Sequence, residues 1–190
     1  MRKVILNLAV TLDGFIEGPN GEIDWCSMDV APAEGSGADS HFDEFLADID
    51  TIFYGRVSYD LWGQYQPDNN ASLAEKKLWE GVHGKTKYVF SNTQHKTDSK
   101  AMYINTDIAN KVRELKNKPG KNIWLYGGAN LITTFINLGL VDKYLLAVHP
   151  VILGAGKPLF SNIEERVGLT LNSVVTSRSG VMLVDYDAKE

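Results

Sequence analysis

The sequence predicts an α/β fold in which a mainly parallel central sheet carries helices on both faces and ends in an antiparallel hairpin. β-prone runs alternate along most of the chain with amphipathic helical patterns, and this order needs crossover connections between parallel strands. Near the end of the chain, two β-prone runs flank the turn Arg178-Ser179-Gly180, which is typical of a hairpin. The length of 190 residues fits a single domain over 1–190.

The first half of the chain begins with a β-prone run and reaches its first helix only after a loop of small residues. In chain order we predict strands 3–11 and 15–17, helix 40–48, strand 51–54, helices 56–62 and 73–80, and strands 87–90 and 102–104. Asp13-Gly14 breaks the first strand, and the segment 29–39, rich in Gly, Ala, Ser and Pro, predicts a mobile loop. Ser40 with Asp43 forms a capping-box pattern, and an apolar stripe follows it at helical spacing.

The second half continues the alternation of helix and strand and then closes the sheet. In chain order we predict a helix that Thr106 caps and Pro119 ends, strand 122–126, a helix after Gly127-Gly128, strand 143–149, a loop over 150–158, and hairpin strands 169–177 and 181–186. The stripe Ile108, Val112 and Leu115 marks the first of these helices, and Gly139 is placed to end the second.

Composition excludes several classes of protein. The net charge of −5 and the pI of about 5.4 leave no general basic field, so we expect no nucleic-acid partner. Cys26 is the single cysteine, which excludes an intramolecular disulfide and a multi-cysteine metal site, and the four histidines show no i, i+4 pair. The first residues match a signal peptide poorly, and no apolar stretch reaches the roughly 20 residues of a membrane helix. We therefore expect a cytoplasmic protein with neither a metal nor a membrane partner.

Glycine or polar residues follow three of the predicted strands, where ligands bind at the carboxyl edge of a parallel sheet. Gly55-Arg56-Val57-Ser58 and Gly127-Gly128-Ala129-Asn130 each open a helix, and glycine there lets the backbone approach a phosphate closely. Ser91-Asn92-Thr93 adds hydroxyl groups that can hold a phosphate or a ribose. The alternative for each segment is an ordinary turn with a solvated polar surface. The Gly-x-Gly-x-x-Gly fingerprint of dinucleotide-binding proteins is missing.

Short motifs distributed along the chain resemble the dihydrofolate reductase-like superfamily. They are Thr11–Ile16, Asp24-Trp25, Asp50–Arg56, Tyr88–Ser91, Tyr126–Ala129, His149–Gly154 and Pro158–Phe160, and together they span nearly the whole chain. The sequence is most similar to the branch that includes the C-terminal reductase domain of bacterial riboflavin biosynthesis proteins and its stand-alone relatives. The resemblance implies a three-layer fold of the dihydrofolate reductase type, an NADPH cofactor and a homodimer.

The resemblance also implies where NADPH would bind. The implied contacts are Ala9 and Ile16 at the nicotinamide, Gly55, Arg56 and Ser58 at phosphate groups, Ser91, Asn92 and Thr93 along the adenosine, and Gly127, Gly128, Ala129, Asn130 and Leu131 around the pyrophosphate. In relatives the peptide between the two adjacent glycines is cis. Arg56 also suits a 2′-phosphate, so NADPH is preferred to NADH.

Three residues are candidates for the substrate side of the site. Asp13, at the end of the first strand, could orient the substrate or supply a proton, or it could only stabilise the turn that it begins. Trp25 and Asp29 would line the substrate pocket, and plain core packing is the alternative for Trp25.

Two departures from the resemblance bear on the substrate. Dihydrofolate reductases carry a carboxylate on the helix a few residues after the tryptophan, where this chain has Val30, with Asp29 one residue away. Riboflavin-type reductases carry cations for a sugar phosphate on the helix before the Gly-Arg strand, whereas 42–48 has none. These departures argue against folate and against a ribityl phosphate as the substrate.

Together these observations predict an NADPH-dependent oxidoreductase, similar to dihydrofolate reductases and to 5-amino-6-(5-phosphoribosylamino)uracil reductases. It would transfer a hydride to a small heterocyclic, unsaturated or carbonyl acceptor. One alternative is a non-catalytic NADP-binding or sensor protein on the same scaffold. Another is a homodimer subunit without a ligand, in which the apolar strand 145–153 forms the interface.

Overall fold

The computed structural model describes residues 1–26, 41–71, 73–93 and 100–189. Their strands and helices, in chain order, are β1 (Val4–Thr11), β2 (Phe15–Glu17), α1 (His41–Ala47), β3 (Ile49–Gly55), α2 (Arg56–Ser58), a π-helical turn (Tyr59–Gly63), α3 (Leu73–His83), β4 (Thr86–Phe90), β5 (Met102–Ile104), α4 (Ile108–Asn117), β6 (Asn122–Gly127), α5 (Ala129–Asn137), β7 (Lys143–His149), β8 (Lys157–Pro158), β9 (Leu169–Thr176) and β10 (Met182–Ala188). The predicted loop over 29–39 and the capping residue Ser40 lie outside the described residues.

Eight of these strands form one sheet in the order β5-β4-β3-β6-β1-β7-β10-β9. The strands from β5 to β7 run parallel, β10 pairs antiparallel with β7, and β9 pairs antiparallel with β10. This arrangement confirms the predicted fold class and the closing hairpin. β2 and β8 pair separately in a short antiparallel ladder, so the loop predicted over 150–158 contains a two-residue strand.

Helices cover both faces of the sheet, as predicted. On one face, which we call the α4/α5 face, Phe135 of α5 packs with Phe53 of β3 in a fully buried core. On the other, which we call the α1/α3 face, Phe45 of α1 and Val82 of α3 pack around Trp124 of β6. Each buried phenylalanine stabilises the fold by about 1.5–3 kcal/mol. None of the helices in the described ranges is long and apolar enough to cross a bilayer.

The structure corrects two local predictions about helices. The helix predicted over 56–62 is one turn of α-helix followed by a π-helical turn. Tyr59 is fully buried there, and its ring lies so close to Gly63 that any side chain at that position would collide with it. Thr106 is not the cap of α4, because Asp107 takes the N-cap position in a left-handed conformation with φ 53°.

The alternative in which the apolar strand 145–153 forms an interface between subunits stays a prediction. β7 lies inside the sheet between β1 and β10, so its backbone hydrogen bonds are already used on both sides. The side chains of 145–148 are half-buried, so the faces of β7 are not fully covered within the chain. The homodimer itself stays a prediction, which light scattering can test.

The carboxyl ends of the parallel strands line up at one edge of the sheet. Gly55 at the end of β3 lies opposite Phe90 at the end of β4, and Tyr54 lies opposite Gly127 at the end of β6. The polar segments that follow β3, β4 and β6 therefore leave the sheet side by side. We call this side of the sheet the carboxyl edge.

Candidate functional site

Three glycines from two neighbouring strands meet at the carboxyl edge. A Cβ added at Gly55 would lie 3.4 Å from the amide nitrogen of Gly128, and one added at Gly128 would lie 3.2 Å from Ser58 Oγ. The space is therefore walled by main chain and one hydroxyl group, and it exists because side chains are missing. We call Gly55, Ser58, Gly127 and Gly128 the glycine cradle.

The glycine cradle lies at the start of α5. Gly128 is the N-cap of this nine-residue helix, has an extended backbone and makes no side-chain cap bond. Gly127 has a φ of 137°, which favours glycine, and its peptide bond to Gly128 is cis, as the resemblance implied. The first amides of a helix point outward with a partial positive charge, so this end of α5 suits an anionic group.

Arg56 lies beside the glycine cradle at the start of α2. Its Nη1 forms an i, i+4 ion pair with Asp60 Oδ2 at 2.5 Å, and the two side chains are 43% and 49% exposed. An exposed pair of this kind contributes about 0–1 kcal/mol to stability. The guanidinium can therefore exchange Asp60 for a bound anion at little cost.

The segment after β4 is held by its own hydroxyl groups. Ser91 Oγ lies 3.1 Å from Thr93 Oγ1 and accepts a hydrogen bond from the Thr93 amide at 3.3 Å. Ser91 is half-buried, and Asn92 and Thr93 are exposed. The structure thus places this polar turn next to Arg56 along the edge.

The other half of the carboxyl edge is formed by β1, β7 and the segment that follows β2. Ala9 on β1 lies opposite Ala147 on β7, and both are half-buried. His149 points to the same face as Ala147 because side chains alternate along a strand. Trp25 packs edge-on against His149, with ring centroids 5.3 Å apart. We call Ala9, Trp25, Ala147 and His149 the β1–β7 half; its small side chains beside two rings suit a flat molecule.

Buried tyrosines lie between the two halves. Tyr54 of β3 and Tyr126 of β6 have ring centroids 4.8 Å apart. Burial raises the pKa of both hydroxyls, so they stay protonated at neutral pH. Among the described residues, Tyr54 Oη and Trp25 Nε1 are buried without a hydrogen-bond partner. A buried polar group without a hydrogen-bond partner lowers the stability of the fold by about 1–3 kcal/mol, so these two groups need an explanation.

Asp13 is occupied in holding a turn. The Thr11 hydroxyl donates to Asp13 Oδ1 at 2.6 Å, and the amides of Leu153 and Gly154 donate to the carboxylate at 3.2 and 2.7 Å. The hydrogen bond from Thr11, followed by those from the amides, lowers the pKa of Asp13. The geometry favours the turn-stabilising alternative and argues against proton supply. A role in orienting substrate stays a prediction.

The remaining predicted site residues have different surroundings. Ile16 and Leu131 pack against the core of the α4/α5 face, so they can offer only apolar contacts. Ala129 and Asn130 form the first turn of α5. Asp29 lies outside the described residues.

The sequence reasoning missed the contact between Trp25 and His149. These residues lie far apart in the chain, so no local pattern connects them. His149 begins one of the motifs that carry the resemblance, but no role follows from that motif, and its position at a strand end is the one local signal. Burial lowers the pKa of His149, which keeps the ring neutral at neutral pH. Burial also raises the pKa of the Cys26 thiol, as a structural cysteine requires.

A cavity of about 710 Å³ lies away from this edge, between the π-helical turn and α3. Its polar groups bind one another. Lys87 Nζ donates to the carbonyl of Gly63 at 2.9 Å and lies 3.1 Å from His83 Nδ1, while His83 Nε2 lies 2.6 Å from the carbonyl of Tyr65. The cavity therefore does not belong to the candidate site at the carboxyl edge. Within the described ranges, no group of three or more His, Cys, Asp or Glu side chains is placed to hold a metal ion.

Comparison with protein families and curated proteins gives consistent matches along the chain. The family model described as RibD C-terminal domain matches residues 2–183. The chain is 56% identical to the uncharacterized protein YyaP of Bacillus subtilis (strain 168), over 97% of this chain and 94% of that protein. It is 31% identical to the uncharacterized protein YwjB of the same organism, over 96% of each chain.

Solved structures share the fold at low sequence identity. A putative riboflavin biosynthesis protein from Shewanella sp. PV-4 superposes with a TM-score of 0.76 and 22% identity, covering 99% of each chain. A diaminohydroxyphosphoribosylaminopyrimidine deaminase/5-amino-6-(5-phosphoribosylamino)uracil reductase from Thermotoga maritima superposes with a TM-score of 0.64 and 17% identity. That match covers 99% of this chain and 57% of the Thermotoga chain.

Proposed function

This chain belongs to the RibD C-terminal domain family, and from that membership we propose that it is an NADPH-dependent reductase of a small unsaturated acceptor. The observation that carries the proposal is the glycine cradle at the start of α5, on the same edge as Arg56. Main-chain amides at the start of a helix suit the pyrophosphate of a dinucleotide. Arg56 would take the 2′-phosphate, since its planar fork can bind phosphate in a bidentate way.

The order of the strands supports a cofactor that lies across the edge. β6, which carries the glycine cradle, is the immediate neighbour of β1, and β1 is the neighbour of β7. A dinucleotide held by its pyrophosphate at the glycine cradle can therefore extend toward the β1–β7 half. Ala9 would leave space there for a flat ring, with Trp25 and His149 at its side.

When bound, NADPH would supply the hydride. The chain would contribute the rest: the glycine cradle and Arg56 bind and orient, while Trp25 and His149 exclude water from one side. Reduction also requires a proton. Asp13 is ionised and bonded to Thr11, Leu153 and Gly154, so we assign the proton to solvent.

Titration of the purified protein with NADPH tests the proposal. The four tryptophans provide the donor fluorescence for energy transfer to a bound reduced nicotinamide. We expect saturable binding of NADPH and weaker binding of NADH. Absence of saturable binding at millimolar NADPH would overturn the proposed function.

One observation favours the non-catalytic alternative. Asp13, the candidate proton donor, is held as a carboxylate by hydrogen bonds within its own turn. A sensor that binds NADP without chemistry needs no donor. NADPH oxidation measured with a panel of quinones, pteridines and flavins separates the two readings, because binding without any turnover would support the sensor.

A further inference from the structure

The segment 4–55 contains eleven carboxylates and neither lysine nor arginine. The whole chain has 19 basic residues, yet none stands between Lys3 and Arg56. This segment supplies β1 and Trp25, which form part of the β1–β7 half, α1, which packs on the α1/α3 face, and β2, whose Ile16 packs against the core of the α4/α5 face. We call these elements the acidic wall.

The start of α1 points toward the carboxyl edge. At the opposite edge, Lys85 and Lys121, which precede β4 and β6, donate to the carbonyls of Leu46 and Ala47 at 2.8 and 2.6 Å. These bonds fix the last turn of α1 at the amino ends of the strands. Its first turn, which carries Asp43, therefore lies nearer the site.

Some carboxylates of the segment are neutralised within the fold. Asp50 pairs with Arg2 at the amino ends of the strands, and Glu17 of β2 pairs with Lys157 of β8. Among the described residues, Arg2 and Lys157 thus pair with carboxylates of this segment at the amino ends of the strands and at the small β2–β8 ladder.

Other carboxylates of the acidic wall remain as negative charge at the carboxyl edge. Asp24 is exposed next to Trp25, Asp43 is exposed in the first turn of α1, and Asp13 is exposed at the end of β1. Among the described residues, cations of this edge on other elements include Arg56 beside the glycine cradle and Arg178 in the β9–β10 turn. An anionic group beside β1 would therefore face like charges along the acidic wall.

We propose, on the basis of the proposed function, that the acceptor is an uncharged or cationic planar ring compound without a phosphate group. A flat ring can lie against Ala9 and Ala147 beside Trp25, whereas a phosphate there would be repelled by the acidic wall. A carbonyl oxygen or ring nitrogen of the acceptor would satisfy Trp25 Nε1, which is buried without a partner among the described residues. The acceptor gains a hydride from NADPH and a proton from solvent, and NADP⁺ is left.

Pairs of compounds that differ only by a phosphate test this inference. The pairs are riboflavin with riboflavin 5′-phosphate, and 6-hydroxymethylpterin with its phosphate ester. Each is titrated by calorimetry into the protein saturated with NADP⁺, so that the glycine cradle is occupied and no turnover occurs. At low ionic strength we expect the uncharged member of a pair to bind at least about tenfold more tightly, and added salt should shrink the difference.

The outcomes separate this inference from the proposed function. Failure of the protein to bind NADP⁺ or NADPH overturns the proposed function. Normal cofactor binding with equal or tighter binding of the phosphorylated members overturns the inference alone, and so does binding of neither member of either pair.

A charge reversal locates the effect on the acidic wall. In Asp24→Lys we expect the preference for the uncharged member to fall at least about threefold. The matched control is Glu114→Lys on α4, on the opposite face, which changes the net charge equally at an exposed position. The control should keep the wild-type preference. Equal effects in both variants, or no effect in Asp24→Lys, would contradict the acidic wall as the cause.

Discussion

The two halves of the carboxyl edge differ in whether main-chain or side-chain groups form them. The glycine cradle is mainly main chain, from residues that end or follow the neighbouring strands β3 and β6. The β1–β7 half is made of side chains, and Trp25 meets His149 there although the two stand far apart in the chain. The first half offers amides beside a cation, and the second offers rings beside carboxylates.

This difference determines which amino-acid substitutions each half can tolerate. A site made by missing side chains is lost when any side chain fills it, so the glycine cradle allows little variation. A site made by packed rings and surface charges can change its chemistry through a few substitutions. The motifs that resemble the dihydrofolate reductase-like superfamily include Gly55 and Gly127-Gly128, whereas the departures from that resemblance concern the substrate side. Four predictions test this contrast, from the largest expected effect to the smallest.

Gly128→Ala should weaken NADPH binding by about 100-fold. Its Cβ would stand 3.2 Å from Ser58 Oγ, inside the space proposed for the pyrophosphate. Tryptophan-to-NADPH energy transfer measures the dissociation constant, with circular dichroism to verify folding. Gly84→Ala is the control, because a Cβ there has its nearest contact at 3.6 Å and lies outside the site. An unchanged affinity in a folded Gly128→Ala protein would contradict the role of the glycine cradle.

Arg56→Ala should weaken NADPH binding by about tenfold to 100-fold and leave NADH binding nearly unchanged, because a charge-assisted contact is worth about 1.5–3 kcal/mol. Titration with both coenzymes measures the ratio. Asp60→Asn is the control: it removes the ion-pair partner of Arg56 and keeps the guanidinium, so NADPH should bind as tightly as before or better. Equal losses for NADPH and NADH would remove the 2′-phosphate role.

The β1–β7 half should respond to pH through His149. Its folded-state pKa lies below the ordinary value of 6.5 because of burial, so the unfolded chain binds the proton more readily. The contribution of neutral His149 to the free energy of unfolding is therefore complete above about pH 6.5 and is lost as pH falls below that value. Thermal unfolding from pH 8 to about pH 5 should show a smaller decline in Tm for His149→Phe than for the native chain.

His83 also has a pKa lowered by burial, so it provides the comparison for this experiment. His83→Phe should reduce the same decline in Tm. Because His83 packs against Trp79 and His149 packs against Trp25, with ring centroids 5.8 and 5.3 Å apart, each variant should change the fluorescence of a different tryptophan. An identical pH profile in the native chain and His149→Phe would contradict the assignment.

Tyr54→Phe should raise the free energy of unfolding by about 1 kcal/mol, the smallest effect of the four. The Tyr54 hydroxyl is fully buried and has no hydrogen-bond partner among the described residues, so removing it relieves an unpaired donor. Urea denaturation measures the change, and Tyr126→Phe is the neighbouring control. A loss of stability would show that the hydroxyl has a partner in the native protein.

Much of the fold could be predicted from the sequence, because its signals are local. The apolar stripe of α4 and the glycine at the end of α5 identify these helices without tertiary information, and Gly139 indeed has a φ of 61°. The helix predicted over 56–62 is helical in the structure, but its second half is a π-helical turn, in which the Tyr59 ring packs closely against Gly63. The capping role of Thr106 failed because the backbone of Asp107 takes the left-handed conformation.

The candidate site likewise contains residues that a local pattern predicts and residues whose contacts only the tertiary structure shows. Gly55, Gly127 and Gly128 could be predicted as candidates because glycine at a strand end is a local signal, and their role in binding stays a prediction. The sequence left Asp13 open between a role toward substrate and a role in its turn, because Leu153 and Gly154, which donate to its carboxylate, come from a distant loop.

The amino-acid sequence by itself determined the alternation of strands and helices, the positions left without side chains, and the absence of cations from 4–55. These properties depend on residue type and spacing alone. Only the tertiary structure decided that β7 is an interior strand, that Asp13 holds a turn, and that Trp25 packs on His149. Each of these requires contacts between segments far apart in the chain, and such contacts form only when the sheet assembles.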